Sequence, residues 1–135
     1  MDFGSSIMIS SAGMKAQGAR MRVIAENLAN SSSIAGSQDE DPYRRKTVSF
    51  TNSLDRELGA RMVKVDKVGT DSSEFGRRYD PGHPAADTDG YVRTTNVNSL
   101  VETNDMREAQ RTYQANLSAI DAAKTMMMRT LDLLR

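Results

Sequence analysis

His83 is the one histidine in the chain, and Asp80, Asp87 and Asp89 stand close to it. A histidine among carboxylates could hold a metal ion or act as a general acid. Pro81, Gly82 and Pro84 surround it, however, and a single nitrogen ligand is poor provision for a site that draws on several His or Cys donors. His83 is therefore read as a loop side chain whose ring packs beside a neighbouring subunit. The stretch Asp87-Thr88-Asp89-Gly90 resembles part of a calcium loop, but Ala85 and Asn96 stand where the full pattern needs acids. A turn leading into a strand accounts for the same residues. Arg44-Arg45-Lys46 and Arg77-Arg78, each with an adjoining tyrosine, raise nucleic-acid binding, which a net charge of zero and the lack of any zinc-finger or RNA-binding pattern disfavour. These basic groups are expected to meet acidic patches on another protein, or water.

No catalytic pattern emerges elsewhere. A serine nucleophile lacks a base and a G-x-S-x-G elbow, and neither a Walker loop nor a G-x-G-x-x-G turn is present to cradle phosphate. With no cysteine, thiolate chemistry, disulfides and sulfur-ligated metals are excluded. The reading is a non-enzyme with no cofactor, no metal and no small-molecule substrate. The first residues lack a basic, then apolar, signal-peptide pattern, and no apolar run is long enough for a membrane span, so a cleaved signal and membrane insertion are not expected.

What remains to be positioned is a pair of helical seams. Hydrophobic residues make up 38% of the 135 residues and aromatics 5%, below the ~45–50% apolar content usual for a globular domain, so a large self-contained core is not expected. Ile7, Met14, Met21 and Leu28 recur every seven residues. A row of small residues (Gly4, Ser11, Gly18, Ala25) offers close approach, and a half-hydrophobic row holds Phe3, Ser10, Gln17 and Ile24. At the other end Met106, Tyr113, Ile120, Met127 and Leu134 repeat every seven, with Leu117 and Leu131 in a companion row beside Gln110 and Lys124. Ser99 and Glu102 form an S-x-x-E capping pattern, which predicts a second helix over 99–133.

The expected fold is mainly α with a small β-containing middle region, the N- and C-terminal helices pairing in a coiled-coil-like packing. Three regions follow: an N-terminal helix over 1–30, a linker and β-rich middle over 31–95, and a C-terminal helix over 96–135. Within the middle, the Ser-, Gly- and acid-rich 30–41 suits a flexible link. Strands are predicted over 42–50, 61–68 and 91–94, a short helix over 52–60, and turns throughout 69–89. Because the seams bury little apolar surface for their length, the ends are expected to be disordered in the isolated chain and to fold when neighbours cover them.

Residues 10–30, SSAGMKAQGARMRVIAENLAN, with Asn27, Leu28, Ala29 and Asn30 on an N-x-A-N core, resemble the signature of the bacterial flagellar rod and hook axial proteins. Residues 96–116, NVNSLVETNDMREAQRTYQAN, are similar to that family's other terminal motif, at Asn98, Glu102, Met106, Arg111, Tyr113, Gln114, Ala115 and Asn116. Within the family, PYRRKTVSF, YDPGHPAADTDGYV and the short middle look like the proximal rod subunits. The chain departs from the pattern in the insert 31–42 and at Thr95, Thr103 and Asn104.

The resemblance implies a subunit of the rod, a hollow helical shaft that crosses the periplasm and transmits motor torque, exported through the flagellar type III apparatus without a cleaved signal peptide. Its partners would be copies of itself, neighbouring rod proteins and that apparatus. The assembly interface is expected along Ile7, Met14, Met21, Ile24, Asn27, Leu28 and Asn30 of the first helix. On the second it would use Met106, Tyr113, Asn116, Leu117, Ile120, Met127, Leu131 and Leu134. The competing reading is a helical adaptor or export-chaperone-like binding module, which would be a compact, stable, fully helical monomer or dimer.

Overall fold

A computed structural model describes residues 3–133. Two long helices flank four strands: α1 (Phe3–Ala29), β1 (Lys46–Asp55), β2 (Ala60–Thr70), β3 (Gly76–Tyr79), β4 (Tyr91–Thr94) and α2 (Ser99–Leu133). β1 pairs with β2 and β3 with β4, giving two separate two-stranded sheets. The chain divides into two compact units, one drawn from residues 1–21, 48–67 and 107–135, the other from 22–47 and 68–106.

In the first unit α1 and α2 lie side by side. A Cβ built on Gly13 would come within 2.8 Å of the Asn116 amide nitrogen, so a side chain there would displace the Asn116 amide that packs against α1. Arg20 pairs with Glu108 at 3.8 Å. Seven residues forward on α1 thus answer eight backward on α2, and the helices run antiparallel. The expected row of small residues is not the contact. Ser11 and Ala25 are exposed, and Gly18 has open space where a side chain would stand; the close approach is at Gly13, with Ser10 and Ala16 buried beside it in sequence.

The first sheet replaces the short helix expected over 52–60. β1 runs on to Asp55, and the Asp55 carboxylate then accepts the backbone N–H groups of Glu57 and Leu58 at 3.0 and 3.2 Å. Gly59, at φ +61°, completes the turn. A side-chain-capped turn between two strands rich in β-branched residues outweighs the modest helix propensity of so short a segment.

The second unit has a small apolar core, in which Ala35, Ala85 and Val92 are buried and Ile34 and Ala86 pack against them. The segment read as a flexible link is pinned here. Ile34 bridges Thr94, the Ala35 N–H donates to the Arg93 carbonyl, and the Arg93 guanidinium bonds Asp41 and the carbonyls of Gln38 and Glu40. Within the segment read as all turn, β3 forms because β4 supplies an antiparallel partner in the register Gly76↔Thr94 to Tyr79↔Tyr91. The Tyr79 and Tyr91 rings meet edge to face, 5.3 Å apart. Gly90, at φ +81°, takes a backbone conformation that strains any residue with a Cβ.

α2 starts as predicted at Ser99, with a different cap. Asn98 accepts the N–H groups of Leu100 and Val101 through its side-chain oxygen at 3.0 and 3.3 Å. Glu102 does not reach back to close a capping box; it is wholly buried and used elsewhere.

Candidate functional site

The densest polar chemistry lies in the second unit, around the last turn of α1, the start of β1 and the first turns of α2. Asn27 is 1% exposed and Glu102 0% exposed, two of the largest fully buried side chains. Burying such groups is unfavourable unless every polar atom finds a partner. Asn27 finds four. Its Oδ1 accepts the Lys46 N–H and the Tyr43 hydroxyl, both at 2.9 Å. Its Nδ2 donates to the Lys46 carbonyl at 2.9 Å and to Glu102 Oε2 at 3.0 Å. One amide thereby holds the first backbone unit of β1 as a strand neighbour would, and ties it to α2.

Glu102 Oε1 accepts from Arg45 Nε at 2.5 Å. The same guanidinium reaches Asp71 at 3.4 Å and Asp105 at 3.6 Å. Burial works against the Arg45 charge, but the hydrogen bond and charge of Glu102, followed by those of Asp71, outweigh it and raise its pKa above the ordinary value. Burial also pushes the Tyr43 hydroxyl up, with Glu26 adding to the effect. Lys46 bonds Glu26, which raises its pKa. Arg44 lies over the Phe75 ring, 4.1 Å from its centre, and donates to the carbonyls of Asp71 and Ser73. Asn96 completes the cluster, accepting the Arg45 N–H at 2.7 Å and donating to Ser73 Oγ at 3.0 Å.

The Arg44-Arg45-Lys46 triplet is therefore an internal tie, contrary to the expectation that it meets another protein or water. Sequence reasoning missed the role of Tyr43, Arg45, Asp71 and Asn96 because each had a sufficient local explanation.

Asp71 gives the cluster a pH dependence. Hydrogen bonds from the Ser73 N–H and then its hydroxyl, with Arg45 contributing, hold its pKa below the usual carboxylate value. Its contribution to stability is present above the unfolded-state pKa and is lost as pH falls through the lowered folded value. Urea midpoints across the acid range should fall more in the wild type than in Asp71→Asn; equal falls would remove Asp71 from the account.

The expected assembly residues separate by burial. On α1, Ile24 and Asn27 are buried, and Ile7, Met14, Met21, Leu28 and Asn30 are half-buried. Asn30 closes the helix, its Nδ2 donating to the Glu26 carbonyl at 2.8 Å. On α2, Met106, Tyr113, Asn116, Leu117 and Ile120 are half-buried, Met127 and Leu131 are exposed, and Leu134 lies outside the described residues. The fully buried row of α2 is Glu102, Ala109 and Ala123, one turn before the row of large apolar residues.

His83 Nδ1 accepts the Ala85 N–H at 3.1 Å, and among the described residues no three His, Cys, Asp or Glu side chains are placed to hold a metal ion. No described helix is long and apolar enough to cross a membrane.

The arrangement thus ties elements together. Residues 88–133, which include β4 and α2, match the family described as flagellar basal body rod FlgEFG protein, C-terminal. A flagellar basal-body rod protein FlgC from Agrobacterium fabrum (strain C58) is 47% identical over 127 residues, 94% of this chain and 91% of the relative. The chain belongs to the FlgC family. FlgC proteins of Bacillus subtilis (strain 168) and Salmonella typhimurium (strain LT2) are 36% and 38% identical, each covering more than nine-tenths of both chains. FlgC relatives are named as rod proteins, and the family is structural, not enzymatic.

Proposed function

We infer that this chain is a structural subunit of the proximal flagellar basal-body rod, and the single observation that carries the reading is its 47% identity to a FlgC rod protein across 94% of its length. The partners are further copies and neighbouring rod proteins, reached through the outward faces of α1 and α2. Those helices, in residues 1–30 and 96–135, form a coiled-coil-like inner core of a hollow shaft, and residues 31–95 supply outer contacts. Half-buried Ile7, Met14, Met21, Met106, Tyr113 and Ile120 and exposed Met127 and Leu131 support this, since each leaves apolar surface for a neighbour to cover. The far ends of the terminal helices, away from the Asn27–Glu102 cluster, are disordered in the isolated chain until that happens. The subunit leaves the cytoplasm by the type III export apparatus without a cleaved signal, and torque crosses the periplasm through many interlocked side chains.

Ile120→Asp tests the reading. A carboxylate on the half-buried seam should abolish assembly and reduce spreading in soft agar to that of a non-motile strain, while the exported amount stays unchanged. Wild-type spreading by this variant would overturn it.

A further inference from the structure

The chain carries nine methionines and neither cysteine nor tryptophan, so its thioether sulfurs are the groups most open to two-electron oxidation. Their placement is uneven. Met14, Met21, Met62 and Met106 are half-buried, whereas Met126, Met127 and Met128 follow one another on α2 and all three are exposed. Met8, on α1, is the only other exposed methionine among the described residues.

The helix register explains the contrast. Continued from Gly13 beside Asn116 and Arg20 beside Glu108, it sets Phe3, the first described residue of α1, opposite Met126. No described residue of α1 therefore lies opposite Met127 or Met128. Successive helix positions are about 100° apart, so the three thioethers fan over about 200° of the helix surface. A single element of this chain packed on one side could not bury all three. Unwinding of this end before assembly leaves the sulfurs equally open.

We propose that Met126, Met127 and Met128 form a reversible oxidation site that governs whether a neighbouring subunit can cover the end of α2, an inference that rests on the reading of the chain as a rod subunit. The oxidant is a peroxide. A thioether sulfur attacks one oxygen of hydrogen peroxide, the S–O bond forms as the O–O bond breaks, and sulfur gives up two electrons. The proton on the transferred oxygen passes to the departing hydroxide, which leaves as water. The sulfoxide puts a strong hydrogen-bond acceptor where an apolar side chain stood, so covering it would bury an oxygen without a donor. Reversal needs two thiols, which become a disulfide as the oxygen leaves as water; with no cysteine in this chain, they come from a separate thiol-dependent reductase.

The first test treats the purified full chain with hydrogen peroxide and digests it with trypsin. Cleavage after Lys124 and Arg129 isolates the three methionines in the peptide 125–129, and cleavage after Arg93 and Arg107 isolates Met106 in 94–107. Each of positions 126, 127 and 128 should gain oxygen before position 106, and a methionine sulfoxide reductase with a thiol donor should remove it. Oxidation of Met106 first, or at the same rate, overturns the proposal. The second test reads assembly with Met126 and Met128 replaced together, once by glutamine and once by leucine. Met126→Gln with Met128→Gln supplies a permanent polar oxygen, Met126→Leu with Met128→Leu stays apolar, and the three residue types have similar helix propensity. The amount of chain in isolated basal bodies should be several-fold lower for the glutamine pair than for the leucine pair. Equal amounts overturn the proposal and leave the rod reading intact; absence of the wild-type chain from basal bodies sinks the rod reading instead.

Discussion

Replacing Glu102 by alanine should destabilise the protein by about 3 kcal/mol, because it leaves a largely buried guanidinium without its main partner. Arg45 keeps only 23% of its side chain exposed, and Glu102 is its shortest ion pair; Asp71 and Asp105 sit at 3.4 and 3.6 Å. Those two carboxylates place the loss at the lower end of the range of about 3–5 kcal/mol for breaking a buried pair. The Asn27 amide also loses an acceptor. At this chain length the melting temperature should fall by about 10 °C. Glu102→Gln keeps an oxygen acceptor and removes the charge, so it should cost roughly half as much. Urea unfolding followed by circular dichroism measures both. An alanine variant within about 0.5 kcal/mol of wild type, the margin of an ordinary surface substitution, would show that the pair contributes little.

Asn27→Asp should be as damaging despite being nearly isosteric. The Nδ2 that donates to the Lys46 carbonyl and to Glu102 Oε2 becomes an oxygen, so two donor contacts turn into acceptor–acceptor contacts beside a buried carboxylate. The expected loss near neutral pH is about 3–5 kcal/mol, the scale of an uncompensated buried charge. Its pH dependence distinguishes it from a packing defect. Burial and Glu102 raise the folded pKa of the new carboxyl, so the penalty is absent below its unfolded value and grows as pH rises above that value. The stability difference from wild type should therefore narrow in acid. Asn27→Ala, with no titrating group, should lack that recovery, and a pH-independent Asn27→Asp penalty would refute the charge explanation.

Features encoded by neighbours in sequence were legible. Period-seven spacing gave both helices, and the S-x-x-E pattern at Ser99 and Glu102 put the start of α2 at the right residue although Asn98, not a capping box, caps it. β4 was readable from the turn at Asp87 and Gly90 leading into Tyr91. β3 was not, since Gly76–Tyr79 has no alternation of its own and becomes a strand only when β4 pairs with it. The polar cluster was hidden for a related reason. Asn27 and Glu102 are 75 residues apart, and Arg45 and Glu102 are 57. Glu102 fitted a capping box, and the basic triplet fitted a charged surface. Only one sequence cue pointed inward: Glu102 stands one heptad before Ala109, in phase with the small residues that α2 buries.

Those separations fix an order of events. A helix turn closes over four residues, whereas the Asn27–Glu102 contact requires a loop of 75 residues to close, an entropic cost that local structure does not offset. Contacts of such span form slowly compared with helix elongation. An extended, threaded chain has none of them, and helical turns alone supply none of the cluster's hydrogen bonds. The junction is therefore a late-closing clasp, set only when the segments containing Asn27, Arg45 and Glu102 are all free to meet.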